Sequence, residues 1–358
     1  ILGIALLIKF SLVLLLPVYV IILIFKKQHI WRVGLGLLLA CFMALTIIHI
    51  AYIPQIWNYP MGQQAADARY VLTGYQYPSL AKLDFWLTEQ KFTRPLGLYL
   101  QGFLMVARRT AGGNTAYFMG EVSSKGWWSY FPTLALTKEQ LGFYVLALLA
   151  LFSAFKQKIK SDFNSLAAMI FIVFYWVSSI LNPLNIGVRH VLPTFPFLYF
   201  LVAKELTAVR KNIFVWLIML WMTAEIIFAF PYYLSYYNLL GGGLNNGYKI
   251  ATDSNYDWGQ DLKRLKIWSK ENKVWKIYLD YFGGGSPKYY MGDNFVPWWS
   301  AKAAPPTGSY FAVSLNSLVG SQAKPVGDIK IKPEDSYLWL KNKVPVGRAG
   351  SSILIYRF

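Results

Sequence analysis

From Ile1 to Phe230 the chain alternates long apolar stretches with short basic connections, and from Pro231 to Phe358 it is polar. A membrane-spanning helix takes roughly 20 predominantly apolar residues. That criterion selects Ile1–Phe25, Trp31–Ile53, Leu141–Phe155 (from nearer Pro132 if the apolar approach is included), Phe163–Leu181, Val191–Ala203 and Ile213–Phe230. A mixed aromatic and polar stretch, residues 54–140, separates the second span from the third and is expected to be a long loop. Val191–Ala203 is short and holds Pro193 and Pro196, so a re-entrant segment lining a wet cavity is its alternative.

Lys26, Lys27 and Arg32 join the first two segments, Lys156, Lys158 and Lys160 the third and fourth, and Lys204, Arg210 and Lys211 the last two. If all six cross, these clusters share one side, which the positive-inside rule makes cytoplasmic. The 54–140 loop, the Asn182–His190 turn and the C-terminal part then face outward.

The polar part carries a different pattern. Gln260–Asn272 has helical spacing with Leu262, Leu265 and Trp268 on one side. Val274–Phe282, Tyr310–Leu315 and Ser352–Tyr356 read as strands, and Pro333–Lys343 as a short helix with acids first and lysines last. The expected fold is a multi-pass α-helical membrane protein of about six spans. Residues 1–235 form the transmembrane region with its outer loop, and 236–358 a small extracytoplasmic α/β domain.

Composition agrees. Hydrophobic residues make up 56% and charged ones 15%, against about a quarter charged in soluble domains. Fourteen Trp, 25 Tyr and 24 Phe suit membrane interfaces. The net charge of +18 sits largely at the ends of apolar runs and in the C-terminal third, which points to a bilayer and its headgroups and away from nucleic acid. The lone Cys41 permits no disulfide framework. Ile1 opens inside an apolar run with no basic n-region, so this is no signal peptide, and the chain reads as a fragment lacking its N-terminal part.

Four stretches carry candidate chemistry. "DSNYDWGQD" places Asp253, Asn255, Asp257 and Asp261 at every second or fourth position. An EF-hand counted from Asp253 fails, because position 6 is Trp258 and position 12 is Arg264. An Asx-rich turn leading into a helix outranks a looser divalent-cation site built from Asp253, Asn255 and Asp257. In "GEVSSKGWWSYFP", Trp127, Trp128 and Tyr130 fit an interfacial belt, but Glu121 and Lys125 beside paired Trp residues also suit a sugar pocket. In "NPLNIGVRHVLP", Arg189 and His190 sit at the outer mouth of the fifth segment. A guanidinium fork there suits a lipid phosphate as well as it suits a snorkelling anchor. Lys9 lies well inside an apolar run, with Glu225 of the last segment a conceivable partner. There is no Walker loop, HExxH or Gly-x-Ser-x-Gly, and the two Gly triplets at 241–243 and 283–285 are turn signals.

Taken in order, these stretches resemble the bacterial and archaeal branch of glycosyltransferase family 39, the protein O-mannosyltransferase-like membrane enzymes of GT-C fold. "LGIALLIKFSLVLLLP", "FMGEVSSKGWWSYFP", "NIGVRHVLPTFPF", the Tyr232–Leu265 stretch, "YFGGGSPKYY" and the closing "VPVGRAGSSILIYRF" carry the resemblance. It implies transfer of a sugar from a polyprenyl-phosphate donor to a protein, lipid or glycan acceptor on the extracytoplasmic face. Arg189 and His190 would hold the donor phosphate, Glu121, Lys125, Trp127 and Trp128 would line the sugar or acceptor pocket, and Asp253, Asn255, Asp257 and Asp261 would order an outer structure over the cavity. The family's catalytic acid lies in a first outer loop that this chain does not contain, so no catalytic residue is nominated. Two rival expectations are an oligosaccharyltransferase-type GT-C enzyme and a non-enzymatic sensor or transport subunit with an outer ligand-binding domain. The former is disfavoured because Ser129 and Phe131 replace the Asp and Gly of its Trp-Trp-Asp-Tyr-Gly motif.

Overall fold

A computed structural model describes residues 1–25, 29–157, 162–207 and 212–358. Lys26, Lys27, Lys158, Lys160, Arg210 and Lys211, on which the orientation expectation partly rests, lie outside the described residues. The chain folds as two compact units, residues 1–112 with 162–177, and residues 113–161 with 178–358. This division differs from the expected boundary at 235/236.

The first unit opens with helices α1 (Leu2–Ile8), α2 (Leu15–Phe25) and α3 (Ile30–Ile56). The expected continuous span Ile1–Phe25 is broken. Lys9 is extended (φ −156°, ψ 124°), and Phe10–Leu14 form a 3-10 turn before α2. Pro17 accounts for the restart, since it lacks an N–H and its ring excludes the carbonyl four residues back, so it is tolerated only in a first turn.

The stretch expected as a long loop is instead largely helical. It contains α4 (Met61–Val71), α5 (Pro78–Glu89) and α6 (Arg94–Gly112). Among the residues that α6 buries, Gly97, Gln101 and Leu104 recur at helical spacing, and Leu104 packs a core with Leu72, Tyr75 and Ala81. Gln64, Asp84, Thr88 and Gln101 are buried polar residues within these helices. Gln64 and Arg94 exchange two hydrogen bonds, at 2.8 and 3.0 Å, that tie α4 to α6.

The second unit begins with a hairpin, β1 (Ala116–Phe118) and β2 (Glu121–Ser123), then α7 (Tyr130–Lys138) and α8 (Leu141–Gln157). Helix α9 (Phe163–Ile180) is divided between the units at Val177. Then come α10 (Phe195–Leu206) and α11 (Ile213–Ala229), both packed on α8. The expected span Val191–Ala203 begins as 3-10 turns at Val188–His190 and Leu192–Thr194, and only Phe195–Leu206 is α-helical. Twelve residues reach about 18 Å, short of the roughly 30 Å hydrocarbon layer. Two helices, Trp31–Ile56 and Phe163–Ile180, are long and apolar enough to cross a membrane, and α7 with α8, bent by 101°, would make a third.

The rest of this unit is a five-stranded mixed sheet with short helices. After α12 (Gly243–Asn246) and α13 (Leu262–Glu271) come β3 (Ile277–Asp280), α14 (Pro287–Met291), β4 (Phe295–Pro297), β5 (Tyr310–Ser314) and α15 (Leu315–Gln322). The chain closes with β6 (Lys324–Pro325), β7 (Gly347–Ala349) and β8 (Ile353–Arg357). The strand order is β4-β3-β5-β8-β7, with β3 parallel to β4 and β5, and β8 antiparallel to β5 and β7. Leu262 and Leu265 of α13 pack on Ile277, Leu279, Ile353 and Ile355 on one face, and Trp268 packs beside them as its spacing predicts. The three expected strands and the α13 helix all form, within a few residues of their expected ends. Pro333–Lys343 differs: it is two 3-10 turns separated at Tyr337, whose backbone is left-handed (φ 50°) and whose hydroxyl donates to Asp280. A second sheet, β1-β2-β6, pairs Glu121 with Lys324 and Val122 with Pro325 in parallel register.

Candidate functional site

Three segments far apart in sequence converge in the second unit: Gly120–Pro132, Asn185–Phe197 and Thr252–Asp261. Two buried asparagines join them. Asn185 Oδ1 accepts from Trp127 N at 2.7 Å. Asn255 Oδ1 accepts from Val188 N at 2.9 Å, and its Nδ2 donates to the Tyr130 hydroxyl at 3.0 Å and to Thr252 O at 3.1 Å. Ser254 Oγ adds a bond to Ile186 O at 2.7 Å. Lys138, at the end of α7, donates to Asn255 O and Leu234 O at 2.5 and 2.7 Å.

Glycines permit this close approach. Gly187 is buried at φ 105°, and a Cβ there would stand 2.4 Å from Ser254 Oγ. Gly126, at φ 66°, leaves no room either, because its Cβ would meet Asn185 Oδ1 at 2.7 Å. Both conformations disfavour a side chain irrespective of space.

Arg189 is exposed, and its guanidinium lies 4.8 Å from the Trp258 ring centroid. Its Nε donates to Ile186 O at 3.1 Å. Among the described residues its two Nη nitrogens have no hydrogen-bond acceptor. The guanidinium is therefore oriented by one hydrogen bond and one ring face. His190 is half-buried and stacks on Phe131 at 5.5 Å.

Glu121 and Trp127 meet directly, the indole Nε1 donating to Glu121 Oε2 at 3.3 Å, and Trp127 packs on Phe118. Trp128 is 75% exposed and free to present a ring face. Lys125 is drawn elsewhere, into an exposed ion pair with Asp328 at 3.3 Å. A cavity of about 380 Å³ adjoins Tyr117 and Val122 of this hairpin and is bounded by Asn316, Ser321, Lys330 and Lys332.

The aspartates of the third segment are engaged with the protein. Asp253 has φ 55° and its N–H donates to Asn316 Oδ1 at 3.0 Å. Asp257, fully buried, accepts from Gly259 N at 3.1 Å and Asn316 N at 3.2 Å. Burial raises its carboxyl to about 6, against the pull of these N–H donors. Asp261, fully buried, accepts from Ser351 N and Ser352 N at 2.8 Å each and pairs with Arg264 at 2.5 Å. Asp253–Asn255 form a 3-10 turn, and the Asn255 side chain and the Asp257 carboxylate are engaged by protein groups. Among the described residues no group of three or more His, Cys, Asp or Glu is placed to hold a metal ion.

The arrangement brings together Glu121, Trp127, Arg189, His190 and the Asp253–Asp257 turn, leaves Lys125 on the surface, and uses Asp261 to fasten α13 to the β7–β8 turn. Sequence reasoning missed Asn185, Asn316, Lys138 and the Arg189 partner Trp258. Their types are ordinary for turns and interfaces, so only the pairing reveals them. Compared with known proteins, the chain matches no family model, and no curated protein or solved structure is significantly similar to it.

Proposed function

We propose that this chain is part of a membrane-embedded glycosyltransferase that moves a sugar from a polyprenyl-phosphate donor to a protein, lipid or glycan acceptor on the outer face of the membrane. The single observation that carries the reading is Arg189, an exposed guanidinium held by Trp258 and Ile186 whose two Nη nitrogens have no protein acceptor among the described residues. As the acceptor hydroxyl oxygen bonds to the sugar carbon, the carbon–oxygen bond to phosphate breaks, the phosphate leaves with the electron pair, and the hydroxyl proton passes to the released phosphate directly or through solvent. A planar pair of donors at that oxygen opposes the growing charge. Glu121 with Trp127, and the exposed Trp128, offer a carboxylate and ring faces of the kind that hold sugar hydroxyls and C–H surfaces. The six-span, GT-C-like topology with the sheet-bearing part outside belongs to the same proposal, supported by the apolar helices and by the resemblance of the converging segments to glycosyltransferase family 39.

The test is sugar transfer by the full-length protein in liposomes, with a polyprenyl-phosphate-linked sugar as donor. Arg189→Ala is expected to lower turnover by about 100-fold while membrane insertion is kept. Unchanged transfer would overturn the phosphate role. Absence of any transfer by the unsubstituted protein, with ligand binding retained, would favour the sensor or transport-subunit reading.

A further inference from the structure

A separate cavity of about 230 Å³ lies in the sheet-bearing part of the second unit, where the end of α13 approaches the start of β3 and the helix α14. None of the three converging segments lines it. Its walls include Lys266, Ser269, Lys270, Lys273, Trp275 and Tyr290. The volume equals about eight waters at ~30 Å³ each, the size of one substituted hexose.

Three independent features give it a chemistry. Ser269 is only 5% exposed, and among the described residues its hydroxyl has no hydrogen-bond partner. A native buried hydroxyl left this way calls for an unplaced water or ligand. Lys266, Lys270 and Lys273 are exposed and, among the described residues, have no ion-pair partner. They belong to a stretch, Leu262–Lys276, with six basic residues and one acid, Glu271. Trp275, 80% exposed, and Tyr290 both line the cavity, so two ring surfaces are within reach of a ligand held there. A bilayer surface would account for the lysines and the tryptophan but not for a walled cavity with an unpaired hydroxyl.

We propose that this cavity binds a hexose unit bearing a phosphate or carboxylate, free or within an anionic glycan. The Trp275 and Tyr290 rings cover the C–H surface of the sugar, the lysines take the anionic group, and Ser269 bonds a ring substituent. The site is independent of Arg189 and does not require the glycosyltransferase reading.

The experiment is titration calorimetry on the full-length protein in nanodiscs of neutral phosphatidylcholine. The probes are glucose 6-phosphate, a hyaluronan tetrasaccharide, glucose and inorganic phosphate. Saturable binding of either anionic sugar is expected, at least about fivefold tighter than glucose or phosphate alone, and weakened about fivefold or more by Trp275→Ala and by Lys270→Glu. Both substitutions alter exposed side chains. Tighter tetrasaccharide binding would assign the site to a glycan, and tighter glucose 6-phosphate binding to a free sugar phosphate. Arg189→Ala is expected to leave all of these unchanged, so failure of the donor-site reading would not touch the result. No saturable binding of either anionic sugar, equal binding of inorganic phosphate, or indifference to both substitutions would overturn the proposal.

Discussion

The Asn255 side-chain amide donates to the Tyr130 hydroxyl across 125 residues of sequence, at 3.0 Å and out of contact with solvent. Its oxygen meanwhile holds the backbone that presents Arg189. One side chain therefore sets the distance between the aromatic hairpin segment and the basic segment.

Replacing Asn255 by Leu is expected to destabilise the protein by about 1–3 kcal/mol, because the part-buried Val188 N–H loses its acceptor and the buried Tyr130 hydroxyl loses its side-chain donor. Thermal unfolding in detergent measures this. Gly187→Ala should act on the same contact, since its Cβ has only 2.4 Å to Ser254 Oγ at a φ of 105°. An unchanged Tm for both variants would mean that the three segments are not held as described.

Arg189 and Trp258 should separate charge from orientation. Arg189→Lys keeps the charge but loses the planar fork, and is expected to recover less than about a tenth of the lost transfer. Trp258→Ala removes only the ring face, worth about 0.5–1 kcal/mol at an exposed site, so a two- to fivefold rise in donor KM is expected. Kinetics with a polyprenyl-phosphate-linked sugar decide both. Full activity of the Lys variant would reduce Arg189 to a point charge.

Chelation should leave the fold intact. The carboxylates of Asp257 and Asp261 accept protein N–H donors, and Asn255 has both side-chain atoms engaged. The Tm in excess EDTA is therefore expected to equal that in millimolar calcium. A calcium-dependent rise of several degrees that Asp257→Ala abolishes would restore the cation site.

Stability should fall as pH rises because of Asp84. Burial raises this carboxyl to about 7, the Gln101 backbone offsetting only part of the cost. Its unfolded value is about 3.9. The folded chain therefore holds this proton more tightly. Its contribution is full below about pH 4, declines between, and is lost above about pH 7, a change of at most about 4 kcal/mol. Asp84→Asn should flatten the decline in Tm from pH 5 to pH 8. An identical pH profile in the variant would show that Asp84 is not the group responsible.

Much of the local structure was legible because it follows from short-range periodicity. Leu262, Leu265 and Trp268 recur on one helical face, and α13 forms there with that face inward. The strands around Ile277, Phe311 and Ile355 follow from apolar, β-branched and aromatic runs. Periodicity served less well where proline intervened. Pro17 divides the first apolar run, and Pro193 and Pro196 shorten the fifth, although hydropathy averages treat both as continuous. The 54–140 stretch misled for the opposite reason: helices that bury only one side carry enough polar residues to resemble a loop.

The sequence by itself determined that the chain holds long apolar helices followed by a small sheet-bearing part, because hydrophobic pattern and turn residues act over neighbouring positions. It also marked Glu121, Trp127, Arg189 and the Asp253–Asp257 turn as chemically unusual. Only the tertiary structure decided which of these meet. Trp127 bonds Glu121, Arg189 lies over Trp258, Lys125 turns away to Asp328, and the aspartates answer to backbone N–H groups. Apart from the short-range Glu121–Trp127 bond, those outcomes depend on where chain segments separated by about 60 to 200 positions are brought to rest, and on which buried donors most need an acceptor there, quantities that no local window of residues contains.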